Sequence, residues 1–359
     1  MRIAVLGGGH GSFAAAADLS EQGHSVALWR RSAGQFGDLA TDRRLTLLDH
    51  LGRREIAIDT VTGSLGEALR GAELVLLFSP AFSQADLAAA IAPHLSDGQV
   101  LFLAPGTLGS VAMARWVREA GCQAELSFAE TGTLPYLARK RDATTIAITV
   151  RAKRLPTGVF PARRTDAAIA CIAQAYPSVH PIEDALSGAL MNAGPIIHPP
   201  LILMNAGPLE HFERWDIHNE GTQPAIRAVT DRLDEERIAV REALGNRPYH
   251  YPLRDHYQSD RWMYGDAHDR LVDSGDWREH IDLQHHRYMT EDVALGLSLL
   301  VSVAETAGVA VPIAAGLLAI GRAVSGGRFL YGERSLADCG LGGLDASARS
   351  AVLRDGWPS

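Results

Sequence analysis

The first residues of the chain contain the feature that most constrains its fold. Residues 2–6 (Arg-Ile-Ala-Val-Leu) have the apolar character of a buried strand, and the glycine-dense turn Gly7-Gly8-Gly9-His10-Gly11-Ser12-Phe13 follows at once. Gly7 permits a sharp turn, Gly9 lets a ligand approach the backbone, and the N–H groups of Gly9 to Phe13 are predicted to begin a helix, where negative charge is favoured. Ser12 stands where such turns usually carry a third glycine. This order of strand, turn and helix predicts a site for the pyrophosphate of a dinucleotide.

Strands and helices alternate through the first half of the sequence. The first helix is predicted at residues 13–22 and the second strand at 25–29, which completes a βαβ unit. Further strands are predicted at residues 73–78, 99–103, 124–128 and 144–150, and helices at 83–95, 111–119 and 166–175. This alternation predicts a parallel, doubly wound sheet with helices on both faces. The basic segment 151–164, which contains Pro156 and Pro161, is predicted to be a loop or a hairpin arm.

Helical patterns replace strand patterns in the second half. They cover residues 185–203, 224–244, 290–305 and 314–324. We therefore expect an α/β fold, with an N-terminal Rossmann doubly wound sheet at residues 1–183 and an all-helical C-terminal domain at residues 184–359. Glu305, Pro312 and several glycines interrupt the apolar run at 293–324, which predicts two buried helices rather than a membrane span.

Charge and cysteine usage restrict the class of protein. The formal net charge of −8 over 359 residues argues against a nucleic-acid partner. The three cysteines are widely spaced and form no C-x-x-C pair, which indicates a reducing compartment. Because the chain enters a strand at once, we expect no signal peptide and a cytoplasmic location. The histidines between His250 and His286 lack the spacing of metal ligands, so we expect no metal site.

The end of the second strand bears on the choice of cofactor. An acidic residue at this position binds the 2′-hydroxyl of NAD, but the sequence has Arg30, Arg31 and Ser32 here. Since guanidinium groups match phosphate geometry, we expect NADP (NADPH) and consider NAD less favoured. The alternative is that both arginines are exposed loop charges. Ser79 and Pro80 follow another strand and either line the nicotinamide half of the site or form an ordinary turn.

Three polar elements are candidates for the chemistry. His198 lies in the apolar segment 192–200 among prolines, where a histidine is most often a satisfied core residue. Arg287, Thr290 and Asp292 precede a long apolar helix, and Thr290 or Asp292 is also a candidate helix cap. Glu130 and Thr131 end a predicted strand and are candidate substrate-binding residues.

Together, the glycine turn, the Asn-x-x-x-x-x-His-Pro element at 192–199 and the Arg-Tyr-x-x-Glu-Asp-Val element at 287–293 resemble the opine dehydrogenases. The likeness is greatest to the bacterial N-(1-carboxyethyl)-norvaline type and weaker to octopine dehydrogenase. The resemblance implies condensation of an amino acid with a 2-oxo acid, typically pyruvate, followed by reduction of the imine with NAD(P)H. It also implies a homodimer, His198 as the catalytic histidine, Asp292 as its partner and Arg287 as the group that holds the oxo-acid carboxylate. Ser12 and Arg30 depart from the family pattern.

Two other functions remain open. One is a 2-oxo acid reductase similar to ketopantoate reductases, which usually employ a lysine in the helical domain, whereas Lys140 and Lys153 both lie in the first half. The other is a sensor that binds NADPH without turnover. The identity of the amine is not predicted, although segment 247–288, rich in Tyr, His, Trp and Arg, is expected to shape its pocket.

Overall fold

A computed structural model describes residues 1–250, 263–265, 267 and 280–358. Its strands, in chain order, are β1 Arg2–Leu6, β2 Ser25–Trp29, β3 Arg44–Asp49, β4 Gly52–Ala57, β5 Thr60–Thr62, β6 Leu74–Leu77, β7 Val100–Leu103, β8 Ser127–Thr131, β9 Tyr136–Lys140, β10 Thr145–Arg151, β11 Leu155–Phe160 and β12 Val179–Pro181. Eight of them form one sheet in the order β12-β11-β8-β7-β6-β1-β2-β5. The pairs from β8 to β5 are all parallel, so the N-terminal half is a doubly wound sheet as predicted.

The segment 151–164 is predicted to be a loop or a hairpin arm, but residues 155–160 form strand β11 of the large sheet, so the prediction is wrong there. This strand is buried along its whole length and pairs antiparallel with β8. Gly158 is required within it, because a Cβ there would lie 1.9 Å from the carbonyl oxygen of Asp184. The glycine that weakens a strand signal in the sequence is thus the residue that lets the helical half pack against the sheet.

A second sheet, in the order β4-β3-β10-β9, covers one side of the first helix. The strand expected at 144–150 belongs to this sheet and not to the parallel one, which corrects its predicted place. Arg151 at its end pairs with Asp18 of the first helix at 2.7 Å and with Asp49 at 2.8 Å. These ion pairs tie the end of β10 to the first helix and to β3, and β9 pairs with β10 in the same sheet.

Helices cover the parallel sheet. They are α1 His10–Glu21, α2 Leu39–Asp42, α3 Leu65–Leu69, α4 Gln84–Ile91, α5 Gly109–Glu119 and α6 Thr165–Ala173, with 3₁₀ turns at Ala33–Phe36, Ala81–Ser83, Ala92–His94 and Ala162–Arg164. The aliphatic residues of β1, β6 and β7 between these layers are almost wholly buried, as expected for a parallel sheet.

After β12 the described residues form helices and turns. These are α7 Ala185–Ala189, α8 Gly194–Leu203, α9 Ala206–His211, α10 Pro224–Ala243, a π-helix at Tyr288–Leu297, α11 Ser298–Ala307, α12 Pro312–Val324 and α13 Ala346–Asp355. The single helix expected at 185–203 is therefore two helices, since the chain turns at 190–193. No helix in the described part of the chain is long and apolar enough to cross a membrane.

Buried arginines fix the turn between α7 and α8, which carries part of the site. Arg237 of α10 donates to the carbonyl of Leu190 at 3.3 Å and pairs with Asp234 at 2.7 Å. Arg241 donates to the carbonyl of Ser187 at 2.7 Å. Both side chains are at most 1% exposed, so removing either leaves buried polar groups unsatisfied.

Candidate active site

A cavity of about 640 Å³ separates the glycine turn from the helical half of the molecule. Its N-terminal wall includes residues 7–11, Ser79 and Pro80. Its other wall includes His198, Arg287 and Asp292, so the structure brings the catalytic candidates to the same cleft as the predicted dinucleotide turn. His198 and Asp292, which are 94 positions apart in the sequence, therefore meet in this cavity.

The glycine turn begins α1, and its residues 7–11 line this cavity. Gly7 has φ +146°, and Gly9 is the extended N-cap residue. A Cβ at Gly9 would meet nothing within 4 Å, so a ligand has room to approach the backbone there. The prediction that Phe13 contributes to the dinucleotide site is wrong. Its N–H donates to the carbonyl of Gly9 at 3.1 Å, and its side chain is wholly buried. The amides left for an anion are accordingly those before Phe13.

A second cavity of about 260 Å³ continues from the turn along the end of β2. Arg30, Arg31 and Ser32 line it, as does Ser79, which also lines the larger cavity. Arg30 donates to the carbonyl of Gln35 at 3.0 Å, and its guanidinium lies 5.7 Å from the centre of the Phe36 ring. The two arginines therefore face a cleft that adjoins the glycine turn.

His198 and Asp292 form the central pair of the larger cavity. His198 Nδ1 lies 2.7 Å from Asp292 Oδ2, and the two side chains are 16% and 6% exposed. Burial lowers the pKa of His198, whereas the charge and hydrogen bond of Asp292 act in the opposite direction; the net result is a lowered pKa. The imidazole is thus neutral near pH 7. Nδ1 then carries the proton that Asp292 accepts, and Nε2 presents its lone pair.

The ring of Tyr288 fixes the plane of this imidazole. The two ring centres lie 3.7 Å apart with an interplanar angle of 18°, and His218 approaches the imidazole edge-on at 6.3 Å. Stacking on one face and a hydrogen bond at Nδ1 together leave the imidazole little freedom to rotate.

Arg287 and two carboxylates share the wall formed by the π-helix. Arg287 is its N-cap residue and makes no side-chain cap, and neither Thr290 nor Asp292 caps this helix, which excludes the capping alternative. Glu291 lines the cavity, and its Oε2 accepts a hydrogen bond from the Ala81 amide at 3.3 Å. π-helical segments are rare and occur often at functional sites.

The guanidinium of Arg287 is open to the cavity although protein surrounds it. Burial alone would lower the pKa of Arg287, but the negative charges of Glu291 and Asp292 outweigh it and hold the pKa above its ordinary value. The group is therefore a permanent cation, suited to bind a carboxylate with two hydrogen bonds.

Glu130 and Thr131 do not reach the cavity, which corrects their prediction as substrate-binding residues. Both are 0% exposed. Glu130 accepts hydrogen bonds from the amides of Leu108 and Ser110 at 2.9 and 3.3 Å, so it holds the turn before α5. Burial raises the pKa of Glu130 to about 7. Their neighbours Gly132 and Thr133 line the cavity instead.

Several lining residues escaped the sequence analysis. Thr133 Oγ1 and the Tyr264 hydroxyl lie 2.5 Å apart in the cavity wall. Gly194 is packed against the His198–Asp292 pair, because a Cβ there would lie 2.1 Å from Asp292 Oδ1. Gly194 lies within the 192–199 element and Tyr264 within the segment 247–288 expected to shape the amine pocket, but no pattern singled out either residue itself. Most of the segment 247–288 expected to shape the amine pocket lies outside the described residues.

The metal prediction concerns the same segment. The described part of the chain contains no group of three or more His, Cys, Asp or Glu placed to hold a metal ion. His256 and His268 lie outside the described residues, so the expectation of no metal site stays a prediction.

The second half of the chain matches a known family. Residues 181–325 match the family described as NAD/NADP octopine/nopaline dehydrogenase, alpha-helical domain, and residues 3–123 match that described as ketopantoate reductase PanE/ApbA. The opine dehydrogenase of Arthrobacter sp. (strain 1C) is 29% identical over 355 residues, which are 97% of this chain and 98% of that protein. The chain is similar to an opine dehydrogenase over nearly its whole length, and its helical half matches the helical domain of octopine/nopaline dehydrogenases. It is an oxidoreductase of this type, and the resemblance seen in the sequence is confirmed.

Two solved structures share the fold of this opine dehydrogenase. Octopine dehydrogenase with NADH and L-arginine is 18% identical, with a TM-score of 0.72 over 100% of this chain and 99% of that chain. Yersinopine dehydrogenase with bound NADP⁺ is 15% identical, with a TM-score of 0.64 over 99% and 98% of the two chains. At these identities the likeness concerns the fold: a Rossmann sheet followed by a helical domain.

Proposed function

We propose that this opine dehydrogenase uses NADPH to join the amino group of an amino acid to a 2-oxo acid, with pyruvate as the first candidate. One observation carries the proposal: the 2.7 Å pair of His198 and Asp292, with Arg287 on the same wall, faces the glycine turn across a single cavity. In the opposite direction the same reaction would oxidise the CH–NH bond of the product. The cytoplasmic location and the homodimer expected from the sequence stay predictions.

The residues of the nucleotide cleft fit a nicotinamide dinucleotide. The turn leaves room over Gly9 and presents amides at the start of α1, which suits a pyrophosphate. Arg30, Arg31 and Ser32 line the adjoining cavity with two cations and a hydroxyl, which favours a 2′-phosphate over a bare ribose. Octopine and yersinopine dehydrogenases are described with NADH and NADP⁺, respectively, so both forms of the cofactor occur in proteins of this fold.

His198 moves the protons of the condensation. Its Nε2 lone pair removes a proton from the substrate ammonium, and the freed amine attacks the ketone carbon. The resulting imidazolium, which Asp292 stabilises through Nδ1, returns that proton to the oxygen and gives the carbinolamine. His198 then takes a second proton from the nitrogen and delivers it to the hydroxyl, so that water leaves and the protonated imine forms. When bound, the reduced nicotinamide supplies the hydride that reduces the imine.

Arg287 fixes the oxo acid during these steps. Its guanidinium binds the carboxylate of the oxo acid, which places the neighbouring carbonyl carbon between His198 and the nicotinamide side of the cavity. Arg287 is exposed within the cavity, so a substrate carboxylate can reach its guanidinium.

The test follows NADPH oxidation by the purified protein with pyruvate alone, and then with pyruvate and each of a panel of amino acids. Consumption only when both substrates are present is expected. Consumption with pyruvate alone would instead assign a simple 2-oxo acid reductase, which the match of residues 3–123 to ketopantoate reductases makes the second candidate. Binding without consumption in either mixture would assign a sensor.

A second experiment tests the choice of cofactor. Replacing Arg30 by Asp together with Arg31 by Ala is expected to weaken NADPH binding by about 100-fold and to leave NADH binding nearly unchanged. Equal effects on both dinucleotides, measured by calorimetry, would contradict the proposed preference for NADPH.

A further inference from the structure

The small sheet delivers a cation to the start of α1 that the mechanism does not use. Lys140 is the last residue of β9, and its backbone N–H donates to His10 Nδ1 at 2.9 Å. Its ammonium lies 3.5 Å from the centre of the Phe13 ring. Since His10 and Phe13 form the first turn of α1, the ammonium stands over the helix end that carries the glycine turn.

Positive charge converges at this place. The half-buried Lys140 lies within electrostatic reach of Arg30, and burial and the charge of Arg30 lower the pKa of Lys140, an effect that Asp142 offsets only in part. Arg30 in turn packs against the turn, because a Cβ at Gly8 would lie 2.7 Å from its Nε. The partial positive charge of the helix N-terminus adds to these two cations. Such a convergence of like charges is relieved when an anion binds between them.

We propose that Lys140 binds a phosphate group of the dinucleotide beside the N-terminus of α1. The four-carbon stem lets its ammonium leave the Phe13 ring and reach a phosphate oxygen. The small sheet thereby serves as a second, independent support of the cofactor, held in place by the ion pairs of Arg151. This inference rests on the proposed use of a nicotinamide dinucleotide.

The composition of the chain permits a direct test. Lys140 and Lys153 are its only lysines, so limited acetylation with an N-hydroxysuccinimide ester followed by mass spectrometry resolves the two amines and uses Lys153 as the internal reference. Saturating NADPH is expected to slow acetylation of Lys140 by at least about fivefold, because the bound phosphate covers the amine and raises its pKa. The rate at Lys153 is expected to stay constant.

The two dinucleotides separate the two kinds of phosphate. Protection by NADPH and NADH alike assigns Lys140 to the pyrophosphate, and protection by NADPH alone assigns it to the 2′-phosphate. Unchanged acetylation of Lys140 in a sample that calorimetry shows to be saturated would overturn the inference and leave the proposed function intact. If neither dinucleotide binds the wild-type protein, both proposals fail.

Matched variants supply a second readout. Lys140→Met is expected to weaken dinucleotide binding about tenfold, the scale of one charge-assisted hydrogen bond, and Lys140→Arg by no more than about threefold. Thermal unfolding of the three proteins shows whether loss of the contact with Phe13 changes the fold. Equal affinity of folded Lys140→Met and wild-type protein would also overturn the inference.

Discussion

Replacing Gly194 by Ala tests the site without altering a charged group. The added Cβ would lie 2.1 Å from Asp292 Oδ1 and 2.9 Å from its Cγ. Carbon and oxygen atoms that are not bonded approach to about 3.3 Å, so the carboxylate has to move by about 1 Å. A movement of that size stretches the 2.7 Å contact with His198 Nδ1 beyond the about 3.2 Å limit of a good hydrogen bond.

The expected result is a loss of kcat by about 100-fold, because the imidazole loses its orienting partner while every catalytic group is still present. Steady-state kinetics measures this loss, and calorimetry is expected to show NADPH binding within about twofold of wild type, since the clash is remote from the glycine turn. Gly316→Ala is the matched control. Gly316 lies exposed on α12 with nothing within 4 Å of a new Cβ, so this change is expected to stabilise the protein by about 0.5–1 kcal/mol and leave kcat unchanged.

A double-mutant cycle isolates the route of the effect. If Gly194→Ala acts by displacing Asp292, adding it to the Asp292→Ala variant is expected to lower kcat little further. A Gly194→Ala protein that folds and retains kcat within threefold of wild type would refute the argument from the close contact. Equal losses in the presence and absence of the Asp292 carboxylate would refute the assigned route.

Three further predictions concern neighbouring groups. Asp292→Asn removes the charge that raises the pKa of His198, so the acid limb of the kcat–pH profile is expected to move to lower pH. The value of kcat is expected to fall about 10²- to 10⁴-fold, and a shift of the acid limb to higher pH would contradict the prediction. Tyr288→Leu is expected to lower kcat about tenfold by freeing the imidazole, whereas Tyr288→Phe keeps the ring and stays within about twofold; equal activity of the two variants would contradict the stacking role. Burial alone would raise the pKa of Glu183, but its hydrogen bonds lower it to about 2. Glu183→Gln is therefore expected to cost about 1–2 kcal/mol of unfolding free energy at pH 7, a difference that denaturation curves should show disappearing as the pH falls from about 4.5 to 2.

The parallel sheet and the nucleotide turn could be predicted because their signals are local. The apolar strands and the glycines of residues 2–13 are contiguous in sequence, and the structure has them as predicted except for the amide of Phe13. Six strands were not predicted, namely β3, β4, β5, β9, β11 and β12. β4 illustrates the reason: it is mostly exposed and carries charged residues, so it lacks the period-two pattern of a half-buried strand.

The catalytic wall could not be derived from spacing. His198 and Asp292 are 94 positions apart, and only the family resemblance joined them. Glu130 shows the converse error: a carboxylate at the end of a strand is a reasonable ligand in sequence, but tertiary packing turns it toward the amides at the start of α5, the preceding helix. Local patterns therefore identified the nucleotide half of the cleft, and the substrate half depended on long-range contacts.

The π-helix makes the substrate wall depend on the number of residues as well as on their identity. In an α-helix two residues five positions apart point about 140° away from each other, whereas hydrogen bonds from i to i+5 bring them to the same face. Arg287 and Asp292 are separated by five positions. Inserting one residue, for example an alanine after Met289, would place Arg287 and Asp292 six positions apart, about 120° from each other at the α-helical pitch, although every catalytic side chain would still be encoded.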